Sequence, residues 1–185
     1  MTEEATQVPA AEDIARLRRA IRDVPDFPKP GIVFRDITPV LLDPQLFAQS
    51  IALMAQPYRA AGVTRVVSIE SRGFLLGAPV ALALAAGLVP IRKPGKLPAL
   101  RDRVEYALEY GSDALEMHQD AVERGDRVLV VDDVLATGGT AEAAGKLVTN
   151  RGAELTGFSF LIELEFLRGR RRLSPARVEA LLAYA

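Results

Sequence analysis

The residues with the clearest chemical potential lie between positions 132 and 140 of the chain. Asp132 and Asp133 are adjacent carboxylates that follow the apolar run 128–131, and a loop of small residues comes directly after. Glycines let a backbone turn sharply and expose N–H groups, and threonine hydroxyls add hydrogen-bond donors. This composition predicts a loop that binds one phosphate group. The loop consists of Ala136, Thr137, Gly138, Gly139 and Thr140.

The elements on either side of this loop indicate its place in a fold. Residues 128–131 are mostly β-branched, which is typical of a strand buried on both faces of a parallel sheet. Residues 141–150 suit a helix whose amino terminus attracts an anion. Asp132 and Asp133 carry the same sign of charge as a phosphate, so they should contact hydroxyl groups or a metal ion near it instead. A ligand that has a phosphate next to a pair of hydroxyls is a ribose 5-phosphate. The alternative is an ordinary strand-to-helix turn with a solvated acidic pair.

Two common phosphate motifs do not occur here. The pattern G-x-G-x-x-G is absent, and the run from Gly139 to Lys146 has one residue too many for G-x-x-x-x-G-K-[ST] and ends in Leu147. Residues 128–140 instead resemble the phosphoribosyl pyrophosphate motif of type I phosphoribosyltransferases. The resemblance implies an α/β fold with a mostly parallel central sheet flanked by helices and covered by a small hood. It also implies that the acidic pair holds the ribose and that the loop holds the 5-phosphate.

Composition excludes several other classes of protein. The 185 residues contain 23 Lys and Arg against 24 Asp and Glu, so no charge excess indicates a nucleic acid or membrane partner. Cysteine is absent and His118 is the only histidine, which excludes disulfides, thiolate nucleophiles and multi-histidine metal sites. We expect His118 to be a strand-end residue, and no apolar run approaches the ~20 residues of a membrane span. We therefore expect a soluble, cytoplasmic protein with a mobile tail at 1–10 and a single domain at 11–185.

A proline-rich segment at 24–39 predicts an extended strip that cannot be helical. Such a strip could present backbone groups to a flat ligand, with Phe34 as a stacking surface; the alternative is a surface loop with Phe34 in the core. The pattern F-P-x-P-G-[IV]-x-F-x-D-I-[ST]-P resembles the amino-terminal signature of the adenine phosphoribosyltransferase family. The resemblance implies that Val33 and Arg35 contact the adenine edge through their backbones, while Phe34 and Leu164 pack against its ring.

A second strand-turn-helix unit predicts another anion site at the same sheet edge. The strand-like run 65–69 is followed by Glu70, Ser71 and Arg72, and then by an apolar helix at 74–86. Arg72 could hold a pyrophosphate, or it could be a surface arginine paired with Glu70. The family resemblance implies a pyrophosphate loop with a cis peptide bond between Glu70 and Ser71.

The basic, proline-punctuated segment 92–103 predicts a mobile lid, and two short strand-like runs at 104–110 and 114–117 predict a hairpin. The patterns R-K-P-G-K-L-P and Y-x-L-E-Y-G also resemble the adenine phosphoribosyltransferase family. By that resemblance Lys96 contacts pyrophosphate and Tyr110 belongs to the closing loop. The resemblance also places Glu109 beside the base. The segments 24–40 and 92–117 would together form the hood.

The remaining segments are expected to build the core. The pattern predicts helices at 11–23 and from Asp43 to Gly62, a strand at 154–164 and a short terminal helix that carries Val178, Leu181 and Leu182. The arginines between 168 and 172 lack interleaved aromatic residues, so a solvated surface is favoured over an RNA site.

The family resemblance therefore implies an enzyme that transfers a phosphoribosyl group from phosphoribosyl pyrophosphate to adenine, giving AMP and pyrophosphate. Arg72, Lys96 and Glu109 are the expected catalytic residues. Mg²⁺ is the expected cofactor, held mainly by the substrate without a direct protein ligand, and the resemblance implies a homodimer. The alternatives are a transferase for hypoxanthine or xanthine, and a phosphoribosyl pyrophosphate sensor without catalysis. A sensor would need a DNA-binding domain, and we expect the region before Pro25 to be too short for one.

Overall fold

The computed structural model describes residues 11–107 and 112–185 as alternating helices and strands. The helices are α1 (Ala11–Ala20), α2 (Thr38–Leu42), α3 (Pro44–Ala55), α4 (Gly73–Ala83) and α5 (Gly139–Asn150). The strands are β1 (Arg22–Pro25), β2 (Val33–Asp36), β3 (Arg65–Ile69), β4 (Gly87–Ile91), β5 (Arg101–Ala107), β6 (Ser112–His118), β7 (Arg127–Leu135), β8 (Glu154–Leu164) and β9 (Val178–Tyr184). Short 3-10 turns lie at Gln56–Tyr58, Glu165–Leu167 and Gly169–Leu173.

Five parallel strands form the central sheet, in the order β4-β3-β7-β8-β9. The middle strand β7 is buried on both faces, and Val128, Leu129, Val130 and Val131 have no exposed surface. Successive side chains of a strand point to opposite faces. Val128 and Val130 accordingly pack with α5, whereas Leu129 and Val131 pack with α3 and α4. The predicted parallel α/β fold is confirmed.

Helices cover both faces of this sheet. The helices α1 to α4 pack on one face, and α5 packs on the other together with the β5–β6 hairpin. The start of α3 follows from its sequence, because the Asp43 carboxylate accepts hydrogen bonds from Gln45 N at 2.9 Å and Leu46 N at 3.1 Å, and Pro44 stands in the first turn. The layers bring the carboxyl ends of β3, β7 and β8 to one edge of the sheet.

Two antiparallel strand pairs lie outside the central sheet. The pair β1–β2 joins Arg22 to Asp36 and Pro25 to Val33, and the pair β5–β6 joins Arg101 to His118. A backbone bridge between Arg92 and Glu116 links the end of β4 to β6. These pairs correspond to the two predicted parts of the hood.

The prediction of a terminal helix is wrong. Residues 178–184 form β9, which extends the sheet in parallel with β8 from Phe158↔Val178 to Leu164↔Tyr184. An apolar run this short fits the periodicity of a helix and that of a strand equally well. The unpaired backbone groups along the edge of the long strand β8 require hydrogen-bond partners, and a strand supplies them. His118, by contrast, ends β6 as predicted.

Several predicted boundaries also shift. The strip is not wholly extended, because Thr38 begins the short helix α2 with Pro39 in its first turn, where a proline costs no hydrogen bond. Strand β7 continues through both aspartates to Leu135 instead of ending before them, and α5 begins at Gly139. The predicted lid segment is partly strand, since β5 begins at Arg101.

Some predictions concern residues outside the described ranges. These are the tail at 1–10 and the tip of the hairpin at 108–111, which carries Glu109 and Tyr110. Within the described ranges, no helix combines the length and the apolar character needed to cross a bilayer.

Candidate active site

A cavity of about 460 Å³ opens at the carboxyl edge of the sheet, where ligands bind in open α/β folds. Residues from β2, the β3–α4 turn, β7, the loop before α5 and the end of β8 line it. The predicted site residues in its wall are Val33, Phe34, Arg35, Arg72, Asp132, Asp133, Ala136, Thr140 and Leu164. The other lining residues are Ile32, Glu70, Ser71, Lys93 and Val134. Residues widely separated in the sequence thus meet around one space.

The acidic pair lies at the end of β7 against the start of α4. Asp133 is 5% exposed, and its Oδ2 lies 2.7 Å from Arg72 Nε. That contact is not aligned as a hydrogen bond, so Asp133 Oδ2 has no hydrogen-bond donor within residues 11–107 and 112–185. A Cβ on Gly73 would stand 2.7 Å from Asp132 Oδ1, so the glycine permits the close approach of α4. The cavity therefore contains a buried acceptor that can take a hydroxyl donor.

Burial controls the protonation of this pair. It raises the pKa of Asp132 well above its ordinary value, and the negative charge of Asp133 raises it further. Burial also raises the pKa of Asp133, although the positive charge of Arg72 acts in the opposite direction. The pair therefore gains stabilisation from any positive charge that develops beside it.

The predicted phosphate loop turns sharply between β7 and α5. Gly138 has φ of 82°, in the left-handed region that glycine tolerates, and its carbonyl accepts the Glu142 N–H at 2.9 Å. Thr137 is exposed, Gly139 is buried and Thr140 faces the cavity. The amino terminus of the twelve-residue helix α5 adds its positive dipole end at this place. These features suit one phosphate group.

A residue that the sequence analysis missed supports this loop from behind. Gly169 is buried, and a Cβ there would lie 2.2 Å from Ala136 O and 2.9 Å from Gly138 N. Position 169 must therefore be glycine for the two backbones to touch. The sequence signal for this role is a glycine inside the arginine run 168–172, a segment whose composition predicts a solvated surface.

The arginine run has mixed surroundings. Arg168, Arg170, Arg171 and Arg172 are all exposed, as predicted for a solvated surface. Arg170 has a structural role in addition, because its guanidinium bonds to both oxygens of the buried Glu163 and to Val178 O at 2.6 Å. It thereby ties the turn that carries Gly169 to β8 and β9.

The turn after β3 contains the predicted cis peptide bond between Glu70 and Ser71. The alternative pairing of Arg72 with Glu70 is wrong, since Arg72 lies against Asp133. Glu70 instead bonds to Lys96 Nζ and to Arg92 Nε, each at 2.5 Å. Lys96 does not line the cavity itself, but this contact holds its ammonium group beside the cavity wall.

The charge of Glu70 is well stabilised. Burial alone would raise its pKa, but the hydrogen bonds from Lys96 and Arg92 and the Lys96 charge together lower the pKa below the ordinary value. Glu70 therefore remains a carboxylate that orders two cations at the edge of the site.

A second lysine, Lys93, lines the cavity and was not predicted as a site residue. Its Nζ bonds to Asp113 and, at 2.8 Å, to the Tyr106 hydroxyl. The sequence feature that could have indicated this role of Lys93 is its position next to Arg92 in the basic segment 92–103. Lys93 links the cavity wall to both strands of the β5–β6 hairpin.

The predicted adenine-binding strip forms one side of the cavity. The Phe34 ring meets Phe27 edge to face, with centroids 5.2 Å apart, and Arg72 Cζ lies 4.9 Å from its centroid. Phe34 therefore faces the cavity and is not plugged into the core. Backbone groups alternate along a strand, so Val33 and Arg35 direct theirs to the same edge of β2. Leu164 closes the cavity from the end of β8.

Comparisons with known proteins show the family of the chain. The model of the phosphoribosyl transferase domain family matches residues 40–175. An adenine phosphoribosyltransferase of Myxococcus xanthus (strain DK1622) is 61% identical over 180 residues, which cover 96% of this chain and 98% of the relative. The chain belongs to the adenine phosphoribosyltransferase family.

Solved structures of this family share the fold of the chain. The adenine phosphoribosyltransferase from Rhodothermus marinus DSM 4252 has a TM-score of 0.91 and 52% identity, over 95% of this chain and 100% of the other. The enzyme from Saccharomyces cerevisiae, crystallised with D-2,5-dideoxy-2,5-imino-altritol 1,6-bisphosphate and adenine, has a TM-score of 0.88 and 41% identity, over 94% of this chain and 100% of the other.

Proposed function

We propose that the cavity at the sheet edge is the active site at which this enzyme transfers a phosphoribosyl group from phosphoribosyl pyrophosphate to adenine, forming AMP and pyrophosphate. The observation that carries the proposal is the meeting of four parts around one space: the strip, the Arg72 turn, the acidic pair and the phosphate loop. The Saccharomyces cerevisiae relative was crystallised with adenine and a bisphosphate, which supports the proposal.

In the transfer, a purine nitrogen bonds to the anomeric carbon and the bond from that carbon to a pyrophosphate oxygen breaks. Positive charge grows on the ribose ring, and negative charge grows on the leaving group. Asp132 and Asp133 would accept hydrogen bonds from the ribose hydroxyls and stabilise the cationic ring. Arg72 and Lys96 would stabilise the leaving pyrophosphate. With the loop 136–140 on the 5-phosphate, the sugar is held at both ends, so much of the acceleration comes from orientation.

The acidic pair also fits the proposed Mg²⁺. Carboxylate oxygens suit this hard cation, which is usually bound by one or two carboxylates together with substrate phosphates and water. Residues 11–107 and 112–185 contain no cluster of three or more acidic or histidine side chains that could hold a metal ion alone. The substrate would therefore hold the ion in the main, and the Asp132 and Asp133 carboxylates would add negative charge near it without having to ligate it directly. Bound there, Mg²⁺ would neutralise part of the charge on the leaving group.

The base is proposed to lie between Phe34 and Leu164, with its edge along β2. A backbone C=O facing the amino group and an N–H facing a ring nitrogen would favour adenine, because a 6-oxopurine leaves both groups mismatched; buried mismatches of this kind give discrimination of order 10⁴. Glu109 would accept a proton or hydrogen bond from the purine and strengthen the attacking nitrogen. Tyr110 would belong to the loop that closes over the site and excludes water.

We further propose a homodimer that acts in the cytoplasm, and both assignments rest on the family resemblance. Leu75 and Leu82 lie on one face of α4 and are 49% and 82% exposed, which supports an association surface on that face. Light scattering on the purified protein would give its mass directly, and a mass of about 20 kDa would contradict the dimer.

The test of the proposed function is an assay with radiolabelled adenine, phosphoribosyl pyrophosphate and Mg²⁺. We expect labelled AMP, no product after chelation by EDTA, and full recovery when Mg²⁺ is added in excess. Unlabelled hypoxanthine and xanthine serve as competitors, and neither should reduce AMP formation at concentrations where unlabelled adenine does. Turnover of hypoxanthine in preference to adenine, or no turnover of any purine, would refute the proposal.

A further inference from the structure

The end of β9 places a tyrosine ring in contact with two arginines. Tyr184 is in register with Leu164 at the end of β8. Its ring centroid lies 4.2 Å from Arg35 Cζ and 4.9 Å from Arg18 Cζ. Arg18 also donates a hydrogen bond from Nη1 to Ala183 O at 3.0 Å. Tyr184 does not line the cavity, although Arg35 and Leu164 do.

This ring connects two parts of the site that share no strand pairing. Strand β2 pairs with β1 in a two-stranded sheet, and the described residues contain no ladder between that sheet and the central one. The distance between β2 and the end of β8 is therefore set by side chains and by the chain connections. Asp23 forms an ion pair with Arg35 across the β1–β2 ladder and fixes one side of the guanidinium. The Tyr184 ring lies against the same group.

We propose that Tyr184 is a positioning residue that sets the width of the adenine slot by holding Arg35 of β2 beside Leu164 of β8. The proposal rests on the proposed adenine site. The residue acts through two neighbours that line the slot, so its removal should let β2 move relative to the sheet. Binding of the base depends on that width, whereas the pyrophosphate turn and the phosphate loop are attached to β3 and β7 and should keep their positions.

The ring and not the hydroxyl carries this role. The Tyr184 hydroxyl makes no hydrogen bond within residues 11–107 and 112–185, unlike Tyr58, whose hydroxyl donates to Phe158 O at 2.7 Å. Burial raises the pKa of Tyr184, while the charges of Arg18 and Arg35 oppose that shift, so the phenol stays neutral at physiological pH. A neutral ring face attracts a guanidinium through its quadrupole, which phenylalanine also provides.

Steady-state kinetics on the full chain test this proposal, with adenine and phosphoribosyl pyrophosphate varied in turn. In the Tyr184→Leu variant we expect KM for adenine to rise about tenfold, the equivalent of losing one desolvated cation–π contact. The kcat and the KM for phosphoribosyl pyrophosphate should stay within about twofold of wild type. The Tyr184→Phe variant should behave as wild type. Arg177→Met is the matched control, since Arg177 stacks on Tyr58 at 4.9 Å, outside the residues that line the cavity.

Three results would overturn the proposal: an unchanged KM for adenine in Tyr184→Leu, an equal loss of kcat/KM for both substrates, or a Tyr184→Phe variant as impaired as Tyr184→Leu. If Tyr184→Leu does not fold, as judged by its melting curve, Tyr184→Met removes the same aromatic ring and must give the same selective rise in KM for adenine. A wild-type protein that makes no AMP would instead refute the proposed function. A wild-type protein that makes AMP, together with an unaltered Tyr184→Leu variant, would refute this inference alone.

Discussion

A single methyl group at position 169 should disable the phosphate loop. In Gly169→Ala the new Cβ would stand 2.2 Å from Ala136 O, and real Cβ atoms essentially never come within 3.0 Å of another heavy atom. The contacted atoms of Ala136 and Gly138 belong to the backbone, so the loop 136–140 must move away by about 1 Å. A displacement of that size in a group that positions the substrate lowers the rate about 10²-fold. We therefore expect kcat/KM for phosphoribosyl pyrophosphate to fall about 10²-fold.

The assay for Gly169→Ala is AMP formation with phosphoribosyl pyrophosphate varied at saturating adenine, alongside a thermal melting curve. The matched control is Gly87→Ala at the opposite edge of the sheet. A Cβ there first meets Arg65 Cδ at 3.1 Å, and this side chain can move aside. The control should keep wild-type kinetics. Wild-type kcat/KM in Gly169→Ala, or an equal loss in the control, would refute the reasoning.

Three further predictions concern the charged residues. Asp133→Asn preserves side-chain volume but removes the negative charge that is proposed to act on the ribose, so turnover should fall about 10²- to 10³-fold while the melting temperature changes little; full turnover would exclude the proposed role. Glu109→Gln should lower kcat by about 10²-fold or more with little change in KM, and AMP formation at the wild-type rate would show that Glu109 is not the proton acceptor. The pKa of Glu70 is lower in the folded protein than in the unfolded chain, so ionised Glu70 stabilises the folded state at neutral pH. This stabilisation is lost as the pH falls through the pKa that Glu70 has in the folded protein. The difference in melting temperature between wild type and Glu70→Gln should accordingly be constant at neutral pH and shrink below the ordinary glutamate pKa of about 4.3; a difference that stays the same down to pH 3 would contradict this role of Glu70.

The parallel sheet and the main site elements were predictable from the sequence because their signals are local. Residues 128–131 combine burial on both faces with a glycine loop next to them, and few structures other than a central parallel strand accommodate that pattern. The strand at 154–164 was predicted with its observed bounds, and Asp43 marked the start of α3 through its capping side chain.

The errors have a different origin, since each depends on contacts between distant residues. Whether 178–184 becomes a helix or a strand is decided by the open edge of β8, which no local pattern records. The role of Gly169 depends on the approach of the loop at 136–138, and the partner of Arg72 is Asp133 and not its sequence neighbour Glu70. The roles of Val33, Arg35 and Leu164 came only from the family resemblance and stay predictions.

The walls of the cavity come from segments scattered between Ile32 and Leu164, so no short segment of the chain contains the site. Parallel neighbours can pair only after a long crossover has closed, and such nonlocal contacts form slowly during folding. The binding surface therefore forms only when the whole sheet forms, and a partly folded chain lacks it. Catalytic competence in this architecture is a property of the completed topology, and a nascent chain has none until β8 has joined β7.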